Sequence, residues 1–217
     1  MIASSTVPIQ VTPDAGARIG ETTGPAIPVA RAARCGFPCL VLLLILGCTS
    51  KPPENSGANT VSFDQVQAQK DCRARAKELA TAVVERNHAR VADLTLPTVV
   101  ERLGGRAQFI RKLEEMDESM KRDGFRMTKC TVGKLTQMTA SGGAIYAIVP
   151  ERVELTGPGG AIERKSAYLI GVSLNNGTNW SFVDGSSFHG NRNVVKQVLP
   201  GFPDQLNLPA DEPTTTD

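Results

Sequence analysis

The chain has 217 residues, 41% of them hydrophobic, with 24 Lys and Arg against 22 Asp and Glu and a formal net charge of +2. That near-balance excludes the basic footprint of a nucleic-acid binder, and the hydrophobic fraction excludes a wholly disordered chain. Five cysteines and only two histidines exclude a dense disulfide scaffold and a histidine-rich metal site.

Residues 1–30 are rich in Thr, Pro, Ala and Gly, with no periodic apolar pattern. They are longer than the charged region of a secretory signal requires; a start further in, at Val29, accounts for the excess, since valine codons serve as bacterial starts. Arg31 and Arg34 then precede an apolar run over 37–47. The run is too short to span a bilayer, which takes about 20 apolar residues, and fits the ~7–15-residue core of a signal peptide. Read from the residues alone, it is a signal that ends near a cysteine or a short buried segment.

Ile45, Leu46, Gly47 and Cys48 resemble the lipobox of bacterial lipoproteins. The resemblance implies that the Cys48 thiol receives a diacylglyceryl group and that a peptidase cuts just before it. It implies too that the new amino terminus is acylated, palmitate being a typical chain. The organisation expected from it is an extension and signal peptide over 1–47, a lipidated tether over 48–61, one domain over 62–209 and a disordered tail over 210–217. The membrane is then a partner through the Cys48 anchor, on the periplasmic side of the cell envelope. Thr49 is not the Asp associated with inner-membrane retention, which favours the outer membrane.

The 170 residues from Cys48 onward hold 21 basic and 20 acidic groups, because Arg18, Arg31, Arg34, Asp14 and Glu21 precede them. Cys35 and Cys39 leave with the signal. Cys72 and Cys130 remain, in an oxidising compartment. They form either a bridge worth roughly 4 kcal/mol or two separate small buried residues.

Residues 49–60 are polar, with Pro, Gly and Ser, and read as a spacer. Over 62–87, Cys72, Ala76, Leu79, Ala80 and Val83 make one helical stripe, and Ser62 with Gln65 has the pattern of a capping box. His88 lies just past it. Residues 93–97 interrupt the helix, 98–103 give one or two helical turns stopped by Gly104 and Gly105, and a helix follows over 106–121 with Phe109, Leu113, Met116 and Met120 as its stripe. From Phe125 the pattern becomes extended. Strands are expected over 125–138, 144–155, 162–174 and 180–185, with turns at 141–143, 156–160 and 175–177. Residues 191–199 predict a short helix, and the prolines of 200–209 an ordered tail laid over the domain.

Helices followed by four strands with short connections predict an α+β fold, N-terminal helices packed on a curved four-stranded antiparallel sheet in a cone-like roll. The alternative is a different two-layer α/β sandwich. The long first helix, the helical stretch broken at the Gly pair and the last strand Trp180–Gly185 resemble the nuclear-transport-factor-2-like family over about 66–185. That family includes isomerases and dehydratases with an Asp or His base inside the cone. The resemblance makes Asp184 and His88 candidate catalytic residues and Tyr146, Tyr168 and Trp180 candidate pocket residues.

Motifs of catalysis are missing from the sequence: it has no phosphate loop opening a helix, no His-Glu-x-x-His pattern and no Gly-x-Ser-x-Gly elbow. No metal or cofactor is expected. The expected function is a membrane-tethered, non-catalytic envelope module that binds a partner protein or a small apolar ligand. The alternative is a small cofactor-independent enzyme with its site in the cone.

Overall fold

The computed structural model describes residues 63–210 and the backbone pairing of Thr215–Thr216. The signal, Cys48, the tether and Ser62 lie outside the described residues. The first helix, α1 (Gln65–Val84), is capped by Asp64, whose carboxylate accepts from the amides of Val66 and Gln67 at 3.0 Å. Those amides have no partner within the helix, and an Asp at this position satisfies them. The buried stripe of α1 is Ala68, Cys72, Ala76, Leu79 and Ala80. Its small side chains let the helix axis come close to the sheet.

Arg86 takes a left-handed φ of 57° and turns the chain out of α1. A separate helix then forms, α2 (His88–Leu94), capped by Asn87. The sequence pattern ended helical structure at 87; α2 forms because Val91, Ala92 and Leu94 bury against α1 and α4. Pro97 opens α3 (Pro97–Arg102), where its missing N–H costs nothing. Gly104 and Gly105, with φ of 97° and 83°, reverse the chain into α4 (Gly105–Arg122).

The sheet follows: β1 (Arg126–Val132), β2 (Gln137–Ser141), β3 (Ala144–Thr156), β4 (Ile162–Ser173) and β5 (Ser181–Asp184), then α5 (Arg192–Val198) and the pair β6 (Thr215–Thr216). Its path is β1-β3-β4-β5, antiparallel throughout, with β2 beside β1 on β3 and β6 on β4. The fold is therefore α+β. The sequence suggested one strand over 125–138, but the chain breaks after Val132, where Gly133 donates to the Pro150 carbonyl at 2.8 Å. Thr215–Thr216 pair with β4 inside a segment whose composition predicts disorder.

The hairpin β3–β4 keeps register from Ile145↔Ser173 to Thr156↔Ile162. Alternation assigns its faces. Ile145, Ala147, Val149, Leu169 and Phe182 look inward, into a core shared with α1, α2 and α4. Tyr146, Ile148, Tyr168, Ile170, Val172 and Val183 look outward, into a second core closed by Phe188, Val195, Leu199, Phe202 and Leu206.

The second cover is a strap of α5 and the proline-rich tail. Arg192 ties it down by donating to the carbonyls of Pro203 at 3.0 Å and Leu206 at 2.6 Å, and it stacks 5.7 Å from the Phe202 ring centroid. Phe202 meets Tyr146 edge-on at 5.8 Å, and Gln137 exchanges two hydrogen bonds with the backbone of Asn207. Replacing the fully buried Ile148 by Ala leaves a cavity under this strap. Urea denaturation is expected to show a loss of about 2–5 kcal/mol for Ile148→Ala.

Candidate functional site

Beyond Val149 and Leu169 the hairpin changes character, and two polar regions result, one on each face. On the inner face, Glu151 stands opposite Val132 and Ala167, while Asp184 stands opposite Leu169. The two carboxyls therefore flank β4 diagonally on one surface. Cys130, paired with Val153, lies on the same face, and its thiol donates a hydrogen bond to the Glu151 carboxylate. Burial pushes Glu151 up to about 8, and the negative charge of Asp184 adds to it, while the thiol hydrogen bond acts the other way.

Asp184 sits at the rim, with part of its surface in water. The protein packed around its carboxyl raises its pKa, against the hydrogen bonds from Ser186 and the charge of His189. The Ser186 hydroxyl donates to Asp184 at 2.6 Å and its amide at 3.0 Å. These two bonds hold the Ser186 hydroxyl in one orientation against the Asp184 carboxylate. Burial also pushes the Cys130 thiol up, away from the reactive thiolate. The inner face thus holds a proton on Glu151 near neutrality and a Cys130 thiol kept from its thiolate form.

The outer face opens into a groove of about 640 Å³, within the size range of ligand sites. Its walls include Lys129, Thr131, Arg152 and Ser166, with Tyr168 and Pro209 at one end, and Glu151 and Ser186 also border it, so the groove reaches the acid-bearing region. The register aligns Thr131, Arg152 and Ser166 in one row across β1, β3 and β4. Gly185 lets the Tyr168 ring lie flat against the chain, since a Cβ there would fall 2.1 Å from that ring. Among the described residues no group of three His, Cys, Asp or Glu side chains is placed to hold a metal ion. No described helix is long and apolar enough to cross a membrane.

The residues singled out from the sequence are dispersed. His88 bonds Asp117 of α4 through Nε2 at 2.7 Å, and Arg86 approaches the same carboxylate at 3.6 Å, so His88 joins α2 to α4. Asp184 instead has His189 beside it. Trp180 is buried in the inner core with its indole N–H donated to the Gly177 carbonyl at 2.8 Å. Tyr146 and Tyr168 face outward, so the three aromatic candidates line no common pocket within the cone; the pleat separates them. Cys72 and Cys130 are not bridged. Cys72 packs toward Gly171, where a Cβ would lie 3.3 Å from its sulfur, with its pKa raised by burial to about 12, whereas the Cys130 thiol is engaged by Glu151.

Glu151 went unnoticed in the sequence. The available signal was a carboxylate alternating with Val149 and Val153 on the otherwise apolar inward face of β3. Comparison with protein-family models, with curated proteins and with solved structures found no match.

The proton on Glu151 makes stability pH-dependent. Below about 4.5 the folded and unfolded chains both hold it; between there and about 8 only the folded chain does, so stability falls as pH rises through that window. Glu151→Gln removes this slope. Its unfolding free energy is expected to match the parent near pH 4.5 and to exceed it by about 1–3 kcal/mol near pH 8 in urea melts. Identical slopes in parent and variant contradict the assignment.

Proposed function

We propose that this chain is a membrane-tethered cell-envelope lipoprotein, held through Cys48, whose domain is a non-catalytic binding module of nuclear-transport-factor-2-like shape. The observation that carries the binding reading is the groove beside the strap, with a tyrosine at one end and charged and hydroxyl-bearing walls. Those walls suit a polypeptide segment better than a small apolar molecule, because an apolar ligand would strip water from Arg152 and from the Lys129–Glu154 pair and offer nothing in return. An anchor outside the domain and a groove on its surface fit a protein that holds a partner near a bilayer.

A second reading, a small cofactor-independent enzyme, is supported by Glu151. A carboxylic acid that keeps its proton near neutral pH is suited to general acid–base catalysis. The binding reading is preferred because the thiol beside the acid, Cys130, is held away from its reactive thiolate by burial.

A photo-cross-linking residue at Thr131, in the groove, is expected to give a discrete adduct in cells, and one at the exposed Glu114 of α4 none. Equal labelling at both positions, or none at Thr131, contradicts the groove. Cys48→Ala is expected to move the protein from the membrane fraction to the soluble extract; a parent chain with an unmodified Cys48 sulfur contradicts the anchor.

A further inference from the structure

One long edge of β4 is closed in two very different ways. On one side β4 pairs with β3 along its whole length. On the other, β5 covers Leu169 to Val172, with Phe182 and Val183 buried behind the pairing. Further along the same edge, Glu163 and Arg164 are covered by β6, a strand of two residues.

A two-residue ladder contributes few hydrogen bonds, each worth about 1 kcal/mol net. Ordering each residue costs roughly 1–2 kcal/mol of backbone entropy. The closure by β6 is therefore near balance and exchangeable, whereas the closure by β5 is locked into both cores. Charge gives the site a preference. Arg164 and Lys165 lie on this stretch of β4 beside Glu163, with Arg152 and Glu154 on the adjoining β3 and Glu154 3.9 Å from Arg164; three basic groups against two acidic ones leave the stretch slightly positive. The segment that carries β6 includes Asp211, Glu212 and Asp217 and no basic residue. Its three consecutive threonines are good strand formers.

We propose that the Glu163–Arg164 edge of β4 is a strand-addition site for an extended, acidic, threonine-rich segment of a partner protein, and that β6 is the resident occupant which the partner displaces. Main-chain pairing supplies the affinity in such recognition, and flanking side chains supply the specificity. The inference deepens the binding reading above. The groove borders the same strand through Ser166 and Ala167, so a segment added to the edge leads into it.

The test uses the full-length chain and a fluorescent synthetic peptide of residues 210–217 as the probe. Thr215→Pro with Thr216→Pro removes the amides that β6 offers to the ladder. This variant is expected to bind the peptide about twofold more tightly than the parent, whose edge β6 occupies about half the time. Adding Arg164→Glu is expected to reverse that gain. Thr216→Pro alone serves as a milder second variant, and a thermal melt matching the parent's establishes that the domain is intact. Equal binding by parent and variants overturns the proposal. So does a variant that dimerises without taking up peptide, which gives the edge to a second copy. An adduct at Thr131 without peptide binding overturns strand addition alone; peptide binding without that adduct overturns the groove alone.

Discussion

The β3–β4 ladder is the constraint on which the rest of the molecule depends. From Ile145 to Val149 the strand is buried on both faces, and a strand of that kind needs a cover on each side. The chain supplies the two covers from opposite ends. The helices that precede the sheet close the inner face, and α5 with the proline-rich strap closes the outer one. Neither layer substitutes for the other, because successive side chains point to opposite faces. Past Pro150 the same two strands carry Glu151, Arg152, Glu154, Arg164 and Lys165, so polar side chains interrupt both faces while Leu155 stays buried. The hairpin is thus dry at one end and wetter at the other. The acid pair, the groove and the exchangeable edge all belong to the wet end.

Much of this architecture was legible in the sequence, because it is written in periodicity. The stripes of α1 and α4 fall at helical spacing, and the turns at 141–143, 156–160 and 175–177 carry the residues that such turns need. The strap was legible as well, since hydrophobes among prolines need cover yet cannot form regular structure. Other features were illegible for physical reasons. Helix α2 is short and its stability comes from burial against its neighbours, so it has no strong local signature. The break at Gly133 depends on a hydrogen bond to Pro150, a contact between strands. The capping of α1 falls to Asp64, two residues after the Ser62 that the sequence pattern suggested.

The site was less legible than the fold. Faces are assigned by register, and register is fixed only when the strands pair. Tyr146, Tyr168 and Trp180 looked equivalent as aromatic residues in neighbouring strands; pairing sends two outward and one inward. Compartment left Cys72 and Cys130 open to a bridge or to separate burial; the structure has the second, Cys72 in the core at Gly171 and Cys130 beside Glu151. Glu151 itself is significant because the assembled sheet buries it, and Asp184, diagonally across β4, adds to the effect; both are relations between segments distant in sequence. Anchoring through Cys48, by contrast, rests on a local pattern, and it is a separate proposition from everything the sheet implies.

Native-state hydrogen exchange along β3 and β4 tests the two-ended hairpin most directly. Amides over 145–149 and 169–172 are expected to exchange only through global unfolding, with denaturant dependence equal to that of the whole domain. Amides over 152–156 and 163–166 are expected to exchange through smaller, local openings. Uniform protection along both strands would contradict the account, because the wet end would then be as firmly closed as the core.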